Sequence, residues 1–264
     1  MDFAAIDWQR PWLAHLRDLG LMLAAAPDWV QTANQLARQR ELDNAAGLPI
    51  VFVPQHQLPE GIAYEAHISA TGQVPTRDNL HDFFNALIWL RFPQVKRTLN
   101  QLQAMEIRRR QTLSSEGGIA GTRGGQRDAA TLFDENAAVF ISTDASLIDA
   151  LRRHQWKQVL QKNPGQFATS CRVLLFGHAL IEKLVSPYKA ITAHVWCMSV
   201  DANELASASS QQMTTLDQRL ASDIAPGFVS ADFSHLPVLG VPGWWSGQDE
   251  AFYDDSSVFR PLRL

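Results

Sequence analysis

The sequence is poor in cysteine and has no long hydrophobic run. Its two cysteines, Cys171 and Cys197, are not part of a CxxC pair, so a disulfide framework and a cysteine-rich zinc site are both excluded. The apolar run near the N-terminus, Leu19 to Ala26, is shorter than the roughly 18 residues that a membrane helix needs. The segment before it lacks the basic start of a secretion signal. We therefore expect a soluble, cytoplasmic protein with no membrane partner.

A strong charge of either sign is also missing. The formal net charge is -4, so the chain lacks the basic field by which proteins attract nucleic acid. The local basic stretch that contains Arg91, Lys96 and Arg97 is typical of a solvated helix face. Nucleic acid is therefore not an expected partner, whereas a small molecule is a reasonable one. Nothing in the sequence indicates an oligomeric state.

Several catalytic motifs are absent as well. The chain has no GxxxxGK[ST] loop, no GxSxG elbow and no HExxH pair, which argues against a P-loop nucleotidase, a typical serine hydrolase and a zincin-type metalloprotease. It does have 46% hydrophobic and 19% charged residues over 264 positions, the proportions of a folded globular protein. We predict a single domain over 1–264 with an N-terminal helical segment, 1–45.

The local patterns predict an α+β protein, mainly helical, with a few short strands including one hairpin. Two helices flank Pro27, "LPIVFVP" suits a strand, and Asn79 can cap a helix that bends or breaks at Pro93. The turn-like residues 134–137 predict the hairpin turn. "LIDALRRHQWKQVLQK", capped by Asp144 or Ser146, and "CRVLLFGHALIEKLV" are interpreted as helices, and "AITAHVWCMSV" as a strand.

The composition changes sharply in one segment, 116–126, which is rich in glycine. Because glycine has the largest backbone freedom, we predict a flexible loop there. Its backbone N–H groups, together with Arg123 and Arg127, could bind an anion. Asp128 follows directly and is a candidate acid. A plain connecting loop explains the same composition.

The clearest chemical signal is a pair of polar stripes on apolar helices. His81 and Asn85 lie four residues apart in "LHDFFNALIWL", and His178 and Glu182 lie four apart in "GHALIEKLV", so each pair shares a helix face. An unpaired buried polar group costs about 1–3 kcal/mol, and facing the stripes together satisfies both. We therefore predict that the two histidines lie within about 10 Å of each other around one pocket.

Three functions are compatible with such a pocket. The first is an enzyme of hydrolytic type, metal-assisted or metal-free, whose catalytic candidates are His81, Asp82, Asn85, Asp128, His178 and Glu182. The second is a non-catalytic protein that binds a small molecule or an anion in the same pocket with Arg123 and Arg127. The third is an interaction protein whose polar core is purely structural. The metal and any other cofactor stay open, because ligands would have to come from distant segments.

Four long blocks of the sequence carry a resemblance to a known family. They are "VPTRDNLHDFFNALIWLRFPQVKRTLN", "RDAATLFDEN", "FGHALIEKLVSPYKAITAH" and "PVLGVPGWW…FYDDSSVFRP", and the similarity extends over roughly Tyr64 to Pro261. Together they resemble an uncharacterised bacterial family, the domain of unknown function 3025. The resemblance implies no activity and assigns no catalytic residue, so the site has to be argued from its chemistry.

Overall fold

The computed structural model describes residues 3–115, 125–206 and 210–262. Arg123 and most of the predicted glycine-rich loop lie outside these ranges, so the loop and its anion site stay predictions. Among the described residues, none of the helices combines the length and the hydropathy that crossing a bilayer requires. The fold is α+β and mainly helical, as predicted.

The N-terminal part is helical on both sides of Pro27. A 3₁₀ turn (Pro11–Leu13) leads into α1 (Arg17–Ala24), and α2 (Trp29–Gln39) follows. Asp28 caps α2, because its side chain accepts the N–H of Gln31 at 2.9 Å.

A small parallel sheet follows, formed by β1 (Val51–Pro54) and β2 (Gln73–Thr76). The helix α3 (Tyr64–Thr71) connects the two strands. The side chain of Asn34 donates to the carbonyl oxygen of Phe52 at 2.8 Å and accepts its N–H at 2.7 Å. This pair of bonds fastens α2 to β1.

The two central helices are α4 (Leu80–Arg91) and α5 (Pro93–Ser115). Asn79 caps α4 as predicted, with its side-chain oxygen accepting the Asp82 N–H at 2.8 Å. Residues 82–90 of α4 are all buried. The chain breaks at Pro93 as predicted, and the Asp217 carboxylate accepts the first free amides of α5 at 2.9 and 3.0 Å. Both helix starts therefore have satisfied N–H groups.

A four-stranded sheet forms the second half of the core, in the order β4-β3-β5-β6. The strand β3 is antiparallel to β4 and parallel to β5, and β5 is antiparallel to β6. The helix before β3 is α6 (Gly125–Asn136). The strands are β3 (Ala137–Ser142), β4 (Cys171–Leu175), β5 (Thr192–Ser199) and β6 (Ser234–Pro237).

Shorter helices cover this sheet and connect its strands. Asp144 caps the first of them by accepting the N–H of Ser146 at 2.9 Å. The helices of this part are α7 (Ala145–Arg152), a π-helical turn (Lys157–Gln161), α8 (Pro164–Ser170), α9 (His178–Lys183), α10 (Ala202–Ala206), α11 (Ser210–Ile224) and α12 (Glu250–Asp254). The helix α9 packs against α4 and α6, and α5 packs against α3, α6 and α11.

Three local predictions are wrong. The hairpin turn at 134–137 is instead the junction of α6 with β3, because Ala129, Ala130 and Phe133 bury one face of a helix. The helix predicted over "CRVLLFGHALIEKLV" is correct only for its second part, α9, because its first five residues form β4; a short apolar run suits a buried strand as well as a helix. The helix predicted through 145–162 is interrupted at His154, whose φ of +55° ends α7.

Candidate functional site

The two polar stripes meet where α9 packs against the start of α4. The Nε2 atoms of His81 and His178 are 3.0 Å apart, and their ring centroids are 4.4 Å apart. The close approach predicted from the sequence is therefore present. The catalytic role assigned to these residues stays a prediction.

Gly177 allows this approach. A Cβ atom at this position would lie 2.4 Å from the backbone nitrogen of Asn136 and 2.5 Å from that of Ala137, distances that real side chains essentially never show. The N–H of Gly177 also donates to the Ala137 carbonyl oxygen at 2.8 Å. The connection from β4 to α9 is thus pressed against the junction of α6 with β3, which places His178 beside Asp134 and Glu135.

Glu135 completes a group of three potential metal ligands. Its Oε2 atom lies 3.5 Å from Nε2 of His178, and one ligand atom from each of His81, Glu135 and His178 falls within 4.8 Å of the other two. The side chains are 30%, 40% and 4% exposed, respectively. The group is therefore anchored by one buried histidine and open to solvent on the side of the other two residues.

Glu182 orients His81 from behind. Its Oε2 atom lies 3.0 Å from Nδ1 of His81. In the neutral imidazole, Nδ1 therefore carries the proton and donates a hydrogen bond to this carboxylate. The lone pair on Nε2 then points at His178. A carboxylate behind a histidine in this way fixes the tautomer and strengthens the ring as a ligand.

His178 is held in its neutral form. Burial lowers its pKa to about 4; Lys96 and His81 add to this effect, whereas the charge and a backbone hydrogen bond of Asp134 oppose it. Its Nδ1 atom is buried, with the nearest Asp134 carboxylate oxygen 3.9 Å away. Neutral imidazole is the form that binds metals.

A buried polar network lies beneath the histidines and explains Asn85. The Nζ atom of Lys96 donates to Oδ1 of Asp134 at 2.6 Å and to Oδ1 of Asn85 at 2.8 Å. The amide nitrogen of Asn85 donates to the hydroxyl of Tyr64 at 3.1 Å. Burial raises the pKa of Asp134, but the charge and the hydrogen bond of Lys96 and the nearby imidazoles outweigh this effect, so the net pKa is lowered. Asp134 is therefore a buried carboxylate paired with a buried ammonium group.

Glu65 is a second carboxyl group beside this network, and it is partly buried. Its Oε2 atom accepts a hydrogen bond from Nδ2 of Asn100 at 2.6 Å. Burial, followed by the negative charge of Asp134, raises its pKa to about 7, against the opposing effects of Lys96 and Asn100. A carboxyl group with this pKa can take up or release a proton at neutral pH.

The other predicted site residues lie apart from the two histidines. The carboxylate of Asp82 is occupied by Arg77, which approaches it with Nε at 3.0 Å, Nη2 at 3.2 Å and its backbone N–H at 2.6 Å. Arg127 and the exposed Asp128 are in the first turn of α6, about 9–10 Å along the helix axis from Asp134. The structure does not bring these three residues to the histidine pair.

Several residues of the site are not predicted from the sequence. Asp134 and Glu135 have the pattern of turn residues, Lys96 has that of a solvated cation, and no pattern marks Tyr64 or Glu65. One signal was available. Lys96, Asn100 and Gln103 recur at helical spacing, all three are buried, and together they form a third polar stripe, on α5.

The chain belongs to a protein family without an assigned activity. Residues 50–263 match the family described as "Protein of unknown function (DUF3025)". A search of curated proteins and a search of solved structures each found no match. Any function therefore has to be inferred from the geometry of the site.

Proposed function

We propose that the protein is a metal-assisted hydrolytic enzyme whose metal ion binds to His81, His178 and Glu135. The observation that carries the proposal is the convergence of these three ligand atoms from separate segments, within 4.8 Å of one another. Two histidines and a glutamate, with one position left for water, form a known type of catalytic zinc site.

Two of the three ligand separations already fit such an ion closely. Two imidazole nitrogens bound to one tetrahedral zinc ion, each at about 2.0–2.1 Å, lie about 3.3 Å apart. The Nε2 atoms of His81 and His178 are 3.0 Å apart, and the Glu135 oxygen is 3.5 Å from His178. These two separations need shifts of only a few tenths of an ångström, and the separation of His81 from Glu135, which is at most 4.8 Å, would have to shorten to a similar value.

The surroundings support a catalytic rather than a structural ion. Structural zinc sites are closed by four protein ligands, whereas a catalytic ion keeps a position for water. Here three protein ligands converge, and two of their side chains, those of His81 and Glu135, are partly exposed. The ion would supply Lewis acidity towards that water, and Glu65, with its pKa of about 7, is available in the layer beneath to exchange a proton.

Metal titration is the first test. Protein freed of metal with a chelator should bind one equivalent of Zn²⁺ in calorimetry, and His81→Gln and Glu135→Gln should each lose most of that affinity. His56→Gln and Glu60→Gln are the matched controls, because His56 and Glu60 are exposed and do not belong to the group of three ligands. Binding that is absent, or that is equal in the site variants and the controls, would contradict the proposed ion site.

The reaction class needs a second measurement. A panel of activated esters, amides and phosphate esters should reveal a turnover that Zn²⁺ restores and the chelator removes. Two histidines and a carboxylate also form the usual site of non-haem Fe(II) enzymes, so elemental analysis of the purified protein should accompany the panel. Iron at one equivalent, with no hydrolysis of any substrate, would refute the hydrolytic assignment.

A second function is favoured by one observation, the 3.0 Å contact between the two imidazoles. This is the length of a good hydrogen bond, and Glu182, His81 and His178 form a continuous chain of such contacts. The chain could act as a metal-free acid–base relay. In that case turnover would survive chelation and fail in Glu182→Gln, while the proposed metal enzyme would lose turnover on chelation.

A further inference from the structure

A second cavity, of about 970 Å³, lies at the edge of the four-stranded sheet. Three histidines from different elements line it: His154 after α7, His194 on β5 and His235 on β6. His194 and His235 are cross-strand neighbours with ring centroids 5.2 Å apart, and His154 lies 5.9 Å from His235. The volume of the cavity is typical of a site for a small molecule.

The cavity wall is cationic. Arg152 and Arg260 line it together with the three imidazoles. Asp232 also lines it, but its carboxylate already accepts the backbone N–H of Val229 at 2.7 Å. Burial lowers the pKa of both His194 and His235, and a neighbouring histidine lowers each further. These two imidazoles are therefore neutral at pH 7, and the positive charge of the wall comes from the two arginines.

The wall also contains a buried polar atom without a partner. Nδ1 of His194 is inaccessible to solvent and forms no hydrogen bond within the described ranges. The histidines are not spaced for a metal, since the described part of the chain has its one three-ligand group at the first site. The two arginines in the wall favour an anionic ligand over a cation.

The remaining walls are apolar and fixed in place. Trp156, Phe233 and Val258 line the cavity. The carbonyl oxygen of Arg260 accepts hydrogen bonds from Nε1 of Trp156 at 2.8 Å and from Nδ1 of His154 at 3.0 Å. These bonds hold the segment that carries Arg260 against the cavity, so the arginine and the aromatic ring keep a defined separation.

We propose that this cavity binds a small amphipathic anion, with a phosphate or carboxylate group at Arg152 and Arg260 and an apolar body against Trp156 and Phe233. Guanidinium groups match the geometry of both anions. The aromatic wall offers an apolar contact surface. The site does not depend on the proposed metal ion, because the two sites share no residue.

1-Naphthyl phosphate is a suitable probe. Calorimetry on chelator-treated His81→Gln protein removes any contribution from the first site. One equivalent should bind, and both inorganic phosphate and 1-naphthol should bind at least tenfold more weakly. A phosphate affinity equal to that of the probe would refute the apolar contact, and an equal affinity for 1-naphthol would refute the anion contact. Absence of binding would refute the site.

Neighbouring arginines provide the matched control. Arg152 lines the cavity, whereas the adjacent Arg153 is exposed outside it. Arg152→Gln and Arg260→Gln should each weaken binding of 1-naphthyl phosphate at least tenfold, and Arg153→Gln should leave it unchanged. If all three variants bind as the parent does, or if Arg153→Gln weakens binding as much as Arg152→Gln, the proposed anion contact is wrong.

Discussion

Replacing Lys96 with methionine should destabilise the protein strongly, because it leaves Asp134 as an unpaired buried charge. Lys96 is 4% and Asp134 is 6% exposed. Their charged groups are 2.6 Å apart, much closer than the 3.9 Å between Asp134 and His178. Removing one partner of a buried pair typically costs about 3–5 kcal/mol. We therefore expect Lys96→Met to lower the free energy of unfolding by about 3–5 kcal/mol.

The next residue on the same helix is the control. Arg97 pairs with Asp43 at 2.8 Å, but both side chains are more than a third exposed, at 35% and 37%. A pair of this kind contributes about 0–1 kcal/mol, so Arg97→Met should have little effect. Urea unfolding followed by circular dichroism measures both variants. Equal losses in the two would refute the buried-pair reasoning.

The double variant Lys96→Met/Asp134→Leu separates the charge effect from packing. Replacing both partners of a buried pair with apolar residues is often neutral or stabilising. The double variant should therefore be more stable than Lys96→Met alone. If it is less stable, the single loss came from packing around Lys96, which also lies 5.3 Å from the ring centroid of Trp89.

Three further predictions concern the histidine site. Glu182→Gln should weaken Zn²⁺ binding about 10–100-fold in calorimetry, through loss of the carboxylate behind His81, with a melting temperature close to that of the parent. Gly177→Ala should lower the melting temperature, because its Cβ would lie 2.4 Å from a backbone nitrogen; an unchanged value would contradict the close approach. For His178, the pKa is about 6.5 in the unfolded chain and about 4 in the folded one. The unfolded state therefore binds more protons between these values, and the free energy of unfolding should fall by up to about 3 kcal/mol as the pH drops from 6.5 to 4. Urea titrations across this range should show a shallower fall for metal-free His178→Gln than for the metal-free parent, and parallel curves would refute the assignment.

The sequence predicts those features of the fold that depend on local chemistry. Asn79 and Asp144 cap their helices because short polar side chains accept free amides. Pro93 breaks the helical run because a proline cannot continue the preceding turn. The strand "AITAHVWCMSV" follows its β-branched pattern. Each of these signals acts within a few residues, so one sequence is sufficient.

The missed features depend on tertiary contacts. Residues 171–175 form a strand because β3 lies beside them, and nothing within the segment distinguishes a buried strand from a buried helix. Lys96 carries the charge of a surface residue and is buried because Asp134 and Asn85 accept its hydrogen bonds. Glu135 reaches the histidines because Gly177 closes the junction beside it. Residue type alone cannot give these partners.

The separation of the polar residues into two layers argues for a site rather than a scaffold. In the inner layer, Lys96 donates to both Asp134 and Asn85, as a purely structural network requires. In the outer layer, the buried His178 turns its Nε2 towards the partly exposed His81 and Glu135. A purely structural network does not require its polar groups to converge at the solvent boundary, whereas a metal site needs a neutral imidazole whose nitrogen faces the ion.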